Sequence, residues 1–529
     1  MNKRNHKPIE LALPLALVAI LLLSYNIIFF ANPLQLGDAQ PQNTTASPTA
    51  SLTNITSLLA QDADNVTNTM LPPGEDADND ALLNGWEETG IDVDNNGIVD
   101  LDLSALGADP YHKDIFVEVD YMQFHKPIDD AINNVIKAFD NASLPNPDNT
   151  SGINLHVGID EQIPHQDLIA WKSGFDNIKN TNFGTANQRS DPNHVNIINA
   201  KKNVYHYALF IHTYLPFPHS SGIAELPGVD FAVSLGAPSW ARDPITNHNT
   251  GNRIQQEGTF MHEFGHNLNL KHAGDDHIPN HKPNYLSVMN YAFQLGTLVP
   301  NRSLDYSRCA LPTLNESGLD EPIGIGVSCP SGLNTIYGPI PCRTNPTGSP
   351  VDWNRDGDVA DAIVQENIVC DSDDSAVDSL HGYDDWSNLQ FTIAGFSSGA
   401  SIPEEIPQEI TTDIVKNHTI QLLIPIYNDL LNLSPQSFDS PDEDSVSEVR
   451  NFFDDAIANR TSTDSLINLI QSDDPDKIDS SIEILSELRD RMDSSINGTE
   501  DDDLIVNSTA QQEIVPQIDT LIQALENQR

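Results

Sequence analysis

Residues 260–272 read FMHEFGHNLNLKH, and the rest of the chain is best understood from them. His262 and His266 are four residues apart, so on a helix their imidazoles project from one face and can reach a single ion. His272 follows six residues after His266, a gap a straight helix cannot close. The chain is therefore expected to swing out sharply near Asn269 and return the third imidazole to the same point. Three neutral nitrogen donors are a zinc set that leaves a fourth position open, and water held there loses its proton readily. Glu263, beside the first histidine, is placed to take that proton and pass it to a leaving amine. Three histidines at these offsets with that glutamate point to metal-assisted hydrolysis rather than to incidental histidines on a helix.

Downstream, SVMNY occupies residues 287–291. HEFGHNLNLKH followed by SVMNY resembles the metzincin clan of zinc endopeptidases. The resemblance implies that Met289 forms a hydrophobic floor under the metal and that Tyr291 stands where astacin-like and serralysin-like members place a movable extra ligand. Asn269 departs from the glycine usual in the clan, but asparagine is among the few other residues that tolerate left-handed backbone. The pattern from KDIFVEVDYM through KPNYLSVMNYAFQ, LDYSR and VDWNRDGD to YDDWSNLQF is similar to poorly characterised secreted prokaryotic peptidases of this clan, over about residues 76–395. By resemblance the activity is that of a zinc endopeptidase acting on proteins or peptides. The four polar residues Asp275, Asp276, His277 and His281 are read as a solvated loop, in which Asp275 or Asp276 could orient a ligating imidazole.

Upstream, DIFVEVDYM at 114–122 reads as a strand and PIDDAINNVIKAF as an amphipathic helix. INLHVGID, YHYALFIHTY and DFAVSLGA read as buried strands, the last a candidate rim for pairing with an extended peptide. This is an α+β layout, with a mixed twisted sheet and a zinc-bearing helix. Before it, Asp76, Asp78, Asp80 and Glu87 stand at positions 1, 3, 5 and 12 of a calcium loop, with Ala81 in place of the usual glycine. Asp92, Asp94, Asn96 and Asp100 repeat the spacing around Gly97, and Asp352, Asn354, Asp356 and Asp358 do so around Gly357. Both of these lack an acid at position 12. Calcium is expected to act structurally. No cysteine precedes the zinc helix, so a cysteine latch is impossible, and an acidic latch drawn from 76–102 is the weaker reading of that stretch.

The chain carries 26 basic and 77 acidic side chains, a formal charge of -51, which disfavours nucleic acid and anionic membranes as partners. Residues 1–31 hold Lys3, Arg4 and Lys7 ahead of a long apolar run, read as a signal anchor or signal peptide that sends the remainder outside the cell. Membrane contact is expected only there. Residues 32–70 read as a flexible polar stalk, 71–106 as calcium-binding loops, 107–398 as the metallopeptidase domain and 402–529 as an acidic helical region. The oligomeric state is not legible. N-x-S/T sequons such as Asn43, Asn54, Asn141 and Asn497 agree with an exterior location. Cys309, Cys329, Cys342 and Cys370 allow up to two disulfides in three connectivities. The reading from a different class is a calcium-braced surface or adhesion protein with a non-catalytic zinc site, against which an intact Glu263 argues.

Overall fold

The computed structural model describes residues 75–299, 302–326, 329, 333–338, 342–370, 377–391, 409–432, 466–472, 474–492 and 508–529. These belong to one compact unit spanning residues 69–529. The N-terminal apolar segment, the polar stalk and parts of the acidic tail lie outside the described residues.

Seven strands organise the first half of the unit: β1 (Asp114–Met122), β2 (Asn154–Ile163), β3 (Ile169–Ala170), β4 (Tyr205–Phe210), β5 (Tyr214–Leu215), β6 (Gly222–Ala224) and β7 (Asp230–Val233). The main sheet is mixed, in the order β2-β1-β4-β7-β6. β2, β1, β4 and β7 run parallel, and β6 closes one edge antiparallel to β7. The short β3 and β5 pair separately. Parallel strands are covered on both faces, so their sequences read as continuous apolar runs. In β4, Ala208 and Phe210 join the core beneath Phe260 and Phe264, while Tyr207 and Leu209 join another on the opposite face with Phe175 and Ile178. This alternation is the period-two rule of a strand.

The first face is covered by α1 (Asp129–Asp140) and α2 (Arg253–Asn267), the latter carrying the histidines. α2 begins at a reciprocal capping box, in which the Asn252 side chain accepts from the Gln255 backbone and the Gln255 side chain accepts from the Asn252 backbone. Every residue from Gln255 to Asn267 is buried, so α2 is an internal helix and its polar side chains need internal partners.

DFAVSLGA was expected at the rim of the cleft. Its strand, β7, instead lies between β4 and β6, and the edge strand on that side of the sheet is β6. The run looked like an edge candidate only because it precedes the histidine helix; its uniformly buried residues are those of an interior strand.

After α2 comes a lobe whose described residues form no long helix, stapled by Cys309–Cys329 and Cys342–Cys370. The acidic tail then forms α3 (Thr412–Asn432), α4 (Pro475–Met492) and α5 (Ser508–Glu526), which share an apolar core of their own. Among the described residues no helix is long and apolar enough to cross a membrane.

Candidate metal centre

α2 ends at Asn267. Asn269 then takes φ 69°, in the left-handed region, and the Leu270 amide donates back to the Gly265 carbonyl at 2.9 Å. This reversal returns the chain so that His272 faces His262 and His266. The three ring centroids lie 4.8–5.2 Å apart, and Nε2 of His266 and His272 approach to 3.1 Å. All three side chains are almost wholly buried.

The orientation of two rings is fixed from behind. His262 Nδ1 lies 2.9 Å from the Val288 carbonyl and His266 Nδ1 lies 2.8 Å from the Leu270 carbonyl. A carbonyl can only accept, so Nδ1 carries the proton in both rings and Nε2 is left with its lone pair toward the common centre. Burial pushes the imidazole of His262 down from its usual range and that of His272 to about 3. The donor set suits zinc: neutral, convergent imidazole nitrogens held by backbone carbonyls.

Met289 packs directly against α2. A Cβ on Gly265 would lie 2.5 Å from its sulfur, so glycine at 265 is what lets the methionine turn sit beneath the histidines. Tyr291 Oη lies 3.4 Å from His272 Nε2. Glu263 is fully buried and its two carboxylate oxygens have no hydrogen-bond partner. Burial, then the nearby Glu409 carboxylate, pushes its carboxyl well above the usual range.

Two site residues escaped the sequence. Gly222, in β6, faces Glu263; a Cβ there would lie 2.4 Å from Glu263 Oε1, so only glycine leaves room for that side chain. Glu409 comes from the start of the acidic tail. Its Oε2 lies 2.9 Å from His262 Nε2 and 3.2 Å from His272 Nε2, and its Oε1 lies 3.3 Å from His266 Nε2. Glu409 is 2% exposed. Nothing about EEIPQEI marks its last glutamate among so many acids; the signal is purely tertiary. The carboxylate on the histidines thus comes from beyond residue 400, whereas an acidic latch had been considered only in 76–102.

The loop after His272 is only partly solvated. Asp275 and Asp276 are exposed, and the roles considered for them behind the imidazoles fall to the Val288 and Leu270 carbonyls at His262 and His266. His277 is half-buried, its ring 5.1 Å from that of His272. His281 is buried, with Nε2 3.0 Å from His418 Nε2 of α3. Docking of the tail, invisible in a local reading, is what removes it from water.

In the first acidic loop Asp76, Asp78 and Asp80 cluster, and Glu87 and Asp80 meet Asp114 from β1. Asp76 accepts from the amides of Asn79 and Ala81, and Ala81 takes φ 74°, so the turn is made without glycine. The carboxylate oxygens of Asp78 and Glu87 are buried without partners. Burial first, then neighbouring carboxylates, raises Asp78 to about 6, Asp80 to about 9 and Glu87 to about 8. Such a set fits a hard divalent cation. In the second loop Asp92, Asp94 and Asp100 cluster, and Asn196 and Asn193 donate to Asp94 and Asp100. In the third, Asp352 accepts from the amides of Asp356 and Gly357, Asn354 donates to Asp356, and Asp358 accepts from Ala360.

No protein-family model matches the chain, and no curated protein matches it.

Proposed function

We propose that the chain is a zinc-dependent endopeptidase with a metzincin-like catalytic domain, in which His262, His266 and His272 hold the metal and Glu263 is the general base. The observation that carries this reading is a buried glutamate with no hydrogen-bond partner, placed beside three convergent imidazoles, two of which have tautomers that direct their Nε2 lone pairs to the common centre. A zinc ion there would supply Lewis acidity toward a peptide carbonyl and would ease ionisation of water. Glu263 accepts the proton and returns it to the leaving nitrogen, a role open to a buried carboxylate that has no other hydrogen-bond partner beside the histidines. Tyr291, close to His272, offers its hydroxyl to the carbonyl oxygen as charge develops. The outer edge at β6 supports an extended substrate by backbone pairing once residues 409–412 are displaced, which favours tolerance of side-chain sequence. Calcium in the acidic loops braces the segment before β1. Two disulfides suggest an extracellular environment.

Glu409 favours a second reading. A fourth protein donor would close the coordination sphere, as in a structural zinc site, and the chain would be a calcium-braced surface protein. The two readings part in the Glu409→Ala background. Zinc content and hydrolysis of a quenched, unstructured protein are measured for that variant and for Glu409→Ala/Glu263→Gln. The peptidase reading expects one zinc at this centre in both and hydrolysis only where Glu263 is intact. A zinc-loaded Glu409→Ala chain as inert as the double variant overturns it.

A further inference from the structure

Outside the centre described above, four histidines from four separate segments meet at one end of the main sheet. β1, β2 and β4 are parallel, so their carboxyl ends lie at the same edge. His125 comes three residues after Met122, His165 two after Ile163, and His212 two after Phe210. One imidazole nitrogen of each of these three lies within 4.8 Å of the other two, and His125 Nε2 is 3.1 Å from His212 Nδ1. The ring centroids are 5.1–5.5 Å apart. His248 approaches His165 at 6.2 Å and stacks on Phe124 at 4.0 Å.

The backbone is shaped to bring them together. Phe124 takes φ 77°, and the His125 amide donates to Met122 at 2.8 Å, a tight turn off the end of β1. A Cβ on Gly236 would lie 2.3 Å from His212 Nδ1, so that glycine is needed to seat the His212 ring. His165 has an acceptor at each ring nitrogen, the Gln123 carbonyl 3.2 Å from Nδ1 and an Asp167 carboxylate oxygen 3.1 Å from Nε2; a cation would take the place of one of them, and the other would orient the ring. His125 is 3% exposed, so its ring is held among the other histidines away from water. A simple hydrogen-bonded pair would need only two of these rings.

We propose that His125, His165 and His212, with His248 beside them, form a second site for a divalent transition cation of the zinc class, pinning the carboxyl ends of three strands together. Imidazole-only donors select such ions over calcium and magnesium.

The test is zinc per chain in calcium-saturated buffer for the full chain, for His165→Ala, for His212→Gln and for His262→Ala. His165 is half-buried and its loss should leave the fold intact, which circular dichroism checks. Each substitution should remove one zinc per chain, and His165→Ala/His262→Ala should remove two. In the His262→Ala background, added zinc should still raise the melting temperature, and this rise should vanish with His165→Ala. Unchanged zinc content in both folded His165→Ala and folded His212→Gln overturns the site.

A separate observation concerns the chain that carries Glu409. The Ile410 carbonyl accepts from the Ser221 amide at 2.9 Å, Thr411 pairs antiparallel with Ser220, and the Thr412 amide reaches the His219 carbonyl at 3.4 Å. Glu409, Ile410 and Thr412 are buried. Residues 409–411 therefore run alongside residues 219–221, the chain leading into β6, before α3 begins at Thr412, with a carboxylate rather than a peptide carbonyl at the histidines. It is tied down behind by His418 on His281 and on Thr297 Oγ1 at 3.2 Å, and the tail's end is tied by Asn527 on the Gly296 carbonyl at 2.9 Å.

We infer that residues 409–412 are an autoinhibitory strap, a reading that rests on the peptidase assignment. Zinc-loaded full chain, Glu409→Ala and Glu409→Gln are titrated with a fluorescent peptide hydroxamate, and hydrolysis is followed in parallel. Both variants should bind the hydroxamate at least roughly tenfold more tightly than wild type, because the strap leaves only a minor open fraction. Equal affinity in all three, or loss of zinc from both folded variants, overturns the strap. Tighter binding without hydrolysis keeps the strap and overturns the peptidase reading.

Discussion

The histidine centre and the first acidic loop are both built from donors at motif spacing, yet the described structure treats them differently. At the centre a carboxylate from far along the chain lies on the three imidazoles. In the acidic loop Asp78 and Glu87 are buried with no partner at all, and Asp80, though held by two backbone amides, stays strongly raised. Neutral ligands can be buried at modest cost without their ion, whereas carboxylates packed together cannot. The difference predicts that loss of zinc costs chemistry and loss of calcium costs stability.

The largest expected effect is on rate. With the strap cleared by Glu409→Ala, adding Glu263→Gln should lower kcat for peptide hydrolysis by about 10²–10⁴-fold, the usual worth of a positioned acid–base group, while zinc content measured by mass spectrometry stays the same. Tyr291→Phe in the same background should lower kcat less, with little change in KM, since its hydroxyl is assigned to the transition state. A rise in KM at constant kcat would instead make Tyr291 a ground-state contact.

The acidic loop gives the next effect, and its sign is fixed by its carboxyls. Their folded-state pKa values are raised, so between about pH 4 and pH 9 these three carboxyls hold more protons in the calcium-free folded chain than in the unfolded one. Stability should then fall as pH rises through that window. Calcium displaces those protons and should flatten the slope; at a hundredfold excess over its Kd it should add about 2.7 kcal/mol. Thermal melts from pH 5 to 9 with calcium and with a calcium chelator measure both. A chelated protein that gains stability toward pH 9 would break the comparison.

Much of this was legible locally. β1 falls on the stretch read as a strand, and α1 on the amphipathic pattern, because periodicity is written residue by residue. What was not legible depends on partners far away in sequence. β6 is three residues long and carries no strand signature, although it forms one edge of the main sheet. Glu409 is one acid among 77. The buried state of His281 depends on α3, and the second histidine cluster on strand ends 40 or more residues apart, as between His125 and His165. Local spacing picked out the three histidines and the acidic loops; only topology could show what meets them.

The smallest expected effect tests the reversal that makes the three-histidine set possible. Asn269 at φ 69° is the point where the chain leaves α2, and His272 can reach the other histidines only if that conformation holds. Left-handed backbone costs a residue with a Cβ roughly 1–2 kcal/mol, less for asparagine and almost nothing for glycine. Asn269→Ala should therefore destabilise the chain by about 1 kcal/mol, near the lower end of that range, and loosen zinc binding in proportion. Asn269→Gly should be neutral within a few tenths of a kcal/mol, its easier φ offset by a more disordered unfolded chain. Denaturant titrations of the two variants in parallel separate the cases. If Asn269→Gly is the more damaging, then the Asn269 side chain rather than its backbone conformation holds the turn, and the usual glycine of the resembling clan would be no true equivalent here.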